Sequence, residues 1–221
     1  VVLTGKFLTV EGVEGVGKSS SMSFICEFLE RHQIATVTTR EPGGTVCGEL
    51  IRDILLDKRL TDLSPITELS LLFAARAQHV HEVIKPALKA AVWVVCDRFT
   101  DSTYAYQGGG RKLSMELISA AEALTLDGFS PDHTLLLDLD VGEGLKRAAR
   151  VGEKDRFESE NVAFFERVRS TFLARAGQSK RTTIVSAKPS ILEVQAEIAV
   201  WLADICLLYT SDAADDSLRV D

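Results

Sequence analysis

The chain has 221 residues, 46% of them hydrophobic and 26% charged, with a formal net charge of −7. That length suits one α/β domain with a sizeable core, and the balance of apolar and charged residues excludes a disordered or fibrous chain. A net acidic chain is a poor general binder of nucleic acid, which needs a basic face, and no apolar run approaches the ~20 residues that span a bilayer.

The first residues lack a signal-peptide pattern, so a cytoplasmic location is expected. Cys26, Cys47, Cys96 and Cys206 are scattered with no C-x-x-C pair. Reduced thiols are expected there, not a zinc site or a disulfide framework.

In chain order, residues 6–11 read as a short buried strand, followed by a glycine-rich turn and an apolar-periodic helix from Ser19 to Arg31. Residues 35–39 have strand composition, Pro42-Gly-Gly marks a loop, and Gly48 to Asp57 and Pro65 to Ala90 read as helices. Val92 to Cys96 and His133 to Asp138 are apolar runs ending at an aspartate, as buried parallel strands do. Further helices are expected at Met115 to Leu126, Gly142 to Arg150, Val162 to Ala176 and Ile191 to Ile205, with a last strand at Thr182 to Ser186. Five apolar strands separated by helices predict a doubly wound, five-stranded parallel sheet with helices on both faces. Residues 1–206 read as a single domain, and the polar, acidic residues 207–221 as an atypical C-terminal tail whose composition is foreign to it.

Gly12, Val13, Glu14, Gly15, Val16, Gly17, Lys18 and Ser19 complete G-x-x-x-x-G-K-[ST] between strand and helix, and Ser20 continues into the helix. Such a loop lets backbone N–H groups converge on phosphate at the positive end of a helix. Lys18 is expected to reach the β- and γ-phosphates of ATP, and the Ser19 hydroxyl to ligate Mg²⁺. Asp97, at the end of an apolar strand, is the candidate acid for the same ion, through water. No N-K-x-D guanine-reading tetrapeptide occurs, which disfavours a GTPase. The P-loop fold is thus expected in a small kinase, while the loop alone leaves open a different nucleotide or metabolite as acceptor, or a non-catalytic nucleotide-binding regulator.

Four further stretches lie at the carboxyl ends of expected strands or face the same crevice: Thr39-Arg-Glu-Pro-Gly-Gly-Thr45, Phe73-Ala-Ala-Arg76, Asp97-Arg98 with Ser102-Thr-Tyr-Ala-Tyr-Gln-Gly108, and an arginine-rich run from Lys146 to Glu158. In this order and spacing, together with the phosphate loop, they resemble the bacterial thymidylate kinases of the nucleoside monophosphate kinase group, over about residues 6–205. The resemblance implies Mg·ATP-dependent phosphorylation of dTMP to dTDP by a homodimer. It implies acceptor contacts from Glu41, Pro42, Arg52, Phe73, Arg76, Arg98, Ser102, Thr103, Tyr106 and Gln107, with Tyr106 against the sugar.

The residue chemistry agrees with this. Arg98 and Arg52 are planar bidentate phosphate donors; Phe73 could stack on a pyrimidine, with Arg76 and Gln107 at its polar edge. Two departures from the family pattern stand out: its stacking Phe precedes the Arg by four positions, where this chain has Leu72, and the lid reads R-A-A-R-V-G instead of R-A-R-A-R-G. The lid, about residues 147–158, supplies Arg147, Arg150 and Arg156 as candidate catalytic cations beside Lys18 and Arg98, with Asp155 and Glu158 ordering it. Glu14-Gly15 leaves the loop without a cation of its own, so charge on the transferring group is expected to be met from the lid. Asp138 and Asp140 are read as structural.

Overall fold

A computed structural model describes residues 5–150, 156–157 and 159–217, with side chains through Cys206. Among these residues five strands form one sheet: β1 (Phe7–Glu11), β2 (Thr36–Arg40), β3 (Trp93–Asp97), β4 (His133–Asp138) and β5 (Thr182–Ser186). They lie in the order β2-β3-β1-β4-β5, and every pair is parallel. The connections run through α1 (Lys18–Arg31), α2 (Val46–Leu56), α3 (Pro65–His79), α4 (Lys85–Lys89), α5 (Thr100–Thr103), α6 (Met115–Leu126), α7 (Val141–Ala148), α8 (Val162–Ala176) and α9 (Ile191–Ser217). The doubly wound sheet expected from the alternation is the one that forms.

Both faces of the sheet are covered, which is why its central strands read as apolar runs. Leu8, Val10 and Val95 pack with Ile25 and Leu29 of α1 and Ile198 and Leu202 of α9. Phe7, Val94 and Cys96, one residue out of phase, face Val80, Ile84, Phe99 and Leu126. From β1 the chain runs to the edge strand β2 and returns to β3, then crosses β1 to β4 and β5, so the connections that leave β1 and β3 run in opposite directions. The crevice beyond the carboxyl ends of β1 and β3 is therefore where such sheets take ligands.

Helix starts follow side-chain caps. Thr45 Oγ1 accepts from Gly48 N at 2.9 Å, which starts α2 two residues earlier than its apolar pattern. Ser64, Ser114 and Asn161 cap α3, α6 and α8 in the same way.

Two stretches differ from the sequence expectation. The helix expected over residues 65–90 widens into a π-helical turn at Val80–Ile84 before α4. Pro86, at the start of α4, has no N–H to donate and its ring crowds the preceding turn, and the wider turn makes that room. At the other end, α9 does not stop at Ile205 but continues to Ser217, because residues 206–217 contain neither Gly nor Pro and include Leu and Ala. Among the described residues no helix is long and apolar enough to cross a membrane.

Candidate active site

β1 delivers the chain to Gly12, and the phosphate loop closes at Gly17, the N-cap of α1. Gly15 and Gly17 hold φ of 71° and 91°, the left-handed region that favours glycine. A side chain at Gly15 has no room in any case, since its Cβ would stand 1.9 Å from the carbonyl oxygen of Gly144 on α7. The root of the lid thus packs on the phosphate loop, and this gives a steric reason why the loop carries no cation there. Lys18 folds back over the loop, Nζ lying 3.4 Å from Gly12 O and 3.3 Å from Val13 O. Burial, reinforced by Arg98, lowers its pKa; an anion seated in the loop would reverse that pressure.

Arg98 follows β3 with φ 71° and donates its backbone N–H to Val10 O at 3.0 Å. Its guanidinium reaches Gly12 O at 2.9 Å, Ser102 Oγ at 3.1 Å, Glu14 Oε1 at 3.0 Å and the Tyr106 hydroxyl oxygen at 3.1 Å, and lies 4.9 Å from the centre of the Tyr106 ring. Burial alone would weaken this cation, but Tyr106, Glu14, Asp97 and Glu11 outweigh it and hold the charge more firmly than usual. Glu14 accepts from both Arg98 and the Tyr106 hydroxyl. This residue, expected with the ATP phosphates, turns its carboxylate to the acceptor side.

A cleft opens beside Arg98. Glu41, Pro42, Arg52, Arg76, Ser102, Thr103, Tyr106 and Gln107 line it with Arg98, and so do Glu14, Leu72 and Phe157. Phe73 is the expected acceptor residue that the structure does not bring there. It is buried with Leu69, Tyr104 and Ile118, and the Arg76 guanidinium lies 5.0 Å from its ring centre. The reason is helical spacing: Leu72 and Arg76 are one turn apart on one face of α3, so Phe73 points to the neighbouring face.

Arg76 is held from behind. Its Nε donates to Glu41 Oε2 at 2.6 Å and an Nη to Phe99 O at 3.1 Å, while Glu41 Oε1 is 2.9 Å from His79 Nδ1, and His79 Nε2 is 2.6 Å from Thr39 Oγ1. Both Glu41 oxygens are thus occupied by protein, whereas Arg76 Nη1 is buried with no partner among the described residues. A donor in that condition at a cleft wall suits an acceptor atom of a ligand. Arg52 donates to Pro42 O at 2.9 Å. Tyr106 and Gln107 belong to a π-helical segment, Tyr104–Gly110, that no periodicity announced.

Sequence reasoning also passed over three buried groups. Glu11 accepts from Phe99 N at 2.7 Å and Ser102 Oγ at 2.6 Å. Glu68 and His79 lie on α3 on the face that carries Leu72 and Arg76. The spacing of residues 68, 72, 76 and 79 was the available signal for the last two. An acid ending an otherwise apolar strand was the signal for Glu11.

The lid arginines separate. Arg147 donates to Ala187 O at 2.9 Å and pairs with Glu143 on its own helix, and Arg150 is exposed just beyond α7. Arg156 is held on the acceptor side, by Glu68 Oε2 at 2.6 Å and Leu55 O at 2.8 Å. Asp155 and Glu158 lie outside the described residues. Asp138 makes a two-pronged pair with Arg169, at 2.7 and 2.9 Å, and Asp140 caps α7 at Glu143 N.

Among the described residues no cluster of three or more His, Cys, Asp or Glu could hold a metal. A magnesium ion carried by nucleotide phosphates needs only one or two protein oxygens. Asp97 Oδ1, buried at the end of β3 with no hydrogen-bond partner among the described residues, is one oxygen that fits that requirement, and β3 pairs with the strand that opens the phosphate loop. The Ser19 hydroxyl, in the first turn of α1, is the other.

A parallel P-loop sheet with an arginine spanning the phosphate loop and a polar acceptor cleft defines a small-molecule kinase. The family model for thymidylate kinase matches residues 10–198. Thymidylate kinase of Teredinibacter turnerae is 50% identical over 197 residues, 89% of this chain and 96% of that protein. That of Chromohalobacter salexigens is 51% identical over 203 residues, 90% and 96% respectively. A crystal structure of thymidylate kinase from Ehrlichia chaffeensis superposes with a TM-score of 0.73 at 30% identity, covering 90% of this chain and 99% of that one. The chain belongs to the thymidylate kinase family, the nucleoside monophosphate kinases that phosphorylate dTMP to dTDP.

Proposed function

We propose that the crevice between the phosphate loop and the Arg98 cleft transfers the γ-phosphoryl group of ATP to a phosphate oxygen of dTMP. The observation that carries this reading is Arg98, which bonds the first carbonyl of the loop and at the same time lines the cleft. A guanidinium there grips the acceptor phosphate and holds its oxygen in line with the γ-phosphorus.

Lys18 and the loop N–H groups hold the donor phosphates, and the exposed Arg150, with Arg147, is the cation that the lid offers to the equatorial oxygens. Mg²⁺ held by Ser19 and, through water, by Asp97 would neutralise charge between the donor phosphates. The acceptor oxygen is already anionic, so no strong general base is required. The Arg76 donor and Gln107 suit the polar edge of the base, Arg52 and Arg98 its phosphate. Leu72 and Phe157 supply apolar surface where Phe73 was expected to stack. A homodimer in the cytoplasm is part of the proposal. Exposed Val46, Leu50 and Ile54, at successive turns of α2, support the dimer by forming an apolar stripe.

A coupled ADP-release assay across nucleoside monophosphates tests the reading. Turnover with dTMP that exceeds dUMP and leaves AMP and GMP near background is the expected result. Turnover of AMP, or of a small acid, with none of dTMP overturns it, and ATP binding without turnover of any acceptor would make the protein a nucleotide-binding regulator.

A further inference from the structure

We propose that Glu68 is a positioning residue that joins the lid to the acceptor cleft, so that one buried carboxylate sets both the Arg156–Phe157 wall and the Gln107 amide. This rests on the reading that the cleft takes the acceptor nucleotide.

Glu68 lies in the first turn of α3 and is fully buried. Its Oε1 accepts from Gln107 Nε2 at 2.8 Å and from Arg111 Nε at 3.3 Å, and its Oε2 accepts from Arg156 Nη2 at 2.6 Å. The donors come from three separate segments: the π-helical turn after α5, the turn that follows it, and the lid. Arg156 lies 4.5 Å from the ring centre of Phe157, and Arg111 lies 5.8 Å from the same ring while pairing with Glu160. Phe157 in turn stands edge-on to Tyr106, with ring centres 6.1 Å apart, and lines the cleft with Gln107.

A carboxylate removed from water is stable only while its donors stay in place, and two arginines brought together repel unless an anion lies between them. Glu68 meets both conditions at once. Loss of the Arg156 bond leaves the carboxylate under-compensated and alters its grip on Gln107; displacement of Gln107 by a bound base acts in reverse on Arg156. The lid is thereby coupled to acceptor occupancy at its cleft-side root, while its other root packs on the phosphate loop at Gly144.

Steady-state kinetics of the full chain, with the wild type run on dTMP and ATP in the same assay, test the coupling. Glu68→Gln should raise KM for dTMP by roughly 2- to 140-fold, the range spanned by couplings within one polar network, with KM for ATP changed less than about twofold. A merely structural role would lower the melting temperature without that split. If Glu68→Gln does not fold, the pair Arg156→Gln and Gln107→Met keeps the question open to experiment. No hydrogen bond joins those two residues among the described residues, and both donate to Glu68. Their effects on dTMP affinity should combine to less than the product of the single effects. Multiplicative effects, or equal rises in both KM values, overturn the proposal. A wild type that turns over no dTMP overturns the underlying reading with it, whereas an active wild type with multiplicative variants overturns the coupling alone.

Discussion

Glu11 shows how a single side chain can carry both the geometry and the pH response of the site. It fixes the Phe99 amide and the Ser102 hydroxyl, and Ser102 in turn accepts from Arg98. Burial first, and then the neighbouring Asp101, raise its pKa from 4.5 to about 7, against the opposing pull of Ser102, Arg98 and the Phe99 amide. A carboxyl raised by folding keeps its proton in the native state over a range where the unfolded chain has lost it. Stability therefore falls as pH rises from about 4.5, and the loss is complete above about 7. Thermal melts of the wild type and Glu11→Gln across this range should diverge in that window, the variant losing less stability on the way up. Parallel curves would mean that Glu11 is ionised in the fold. The sequence shows an acid at the end of a strand, but not the two donors that close on it from 88 and 91 residues away.

Among the elements, those with a strong local period were legible and those set by packing were not. β1, β3 and β4, with α1, α6 and α8, follow their apolar patterns because each has one well-defined buried face or is buried on both. The π-helical segment at Tyr104–Gly110 has no such local cause. Its glycines meet α8 so closely that a Cβ at Gly109 would stand 2.2 Å from Thr171 Oγ1, and only the finished packing reveals that need. The apolar stripe of α2 is the opposite case, a pattern readable in sequence that nothing among the described residues covers. Leu50 is 63% exposed at its centre. Leu50→Glu should convert the proposed dimer to a monomer in light scattering behind size-exclusion chromatography, with the far-ultraviolet circular dichroism spectrum unchanged. A wild type that already runs as a monomer would remove the proposal.

For the molecule as a whole, the domain is proposed to be complete at residue 206. Among the α9 residues whose side chains are described, those buried in the core run from Val194 to Ile205. Chain 1–206 should retain wild-type dTMP kinase activity and melt within a few degrees of the full chain, a shift below the ~1 kcal/mol that moves a domain of this size by 2–4 °C. A larger loss would make the tail part of the fold. The sequence by itself determined the parallel sheet, the phosphate loop, and Arg98 and its motif, because apolar periods and loop glycines act over a few neighbouring residues. Only the tertiary structure decided that Leu72 and not Phe73 faces the cleft, that Glu14 turns to the acceptor side, and that Arg156 is held by Glu68 across 88 residues. Those outcomes depend on which distant segments the folded chain brings against one another, and a buried charge must take its partners from whichever segments arrive.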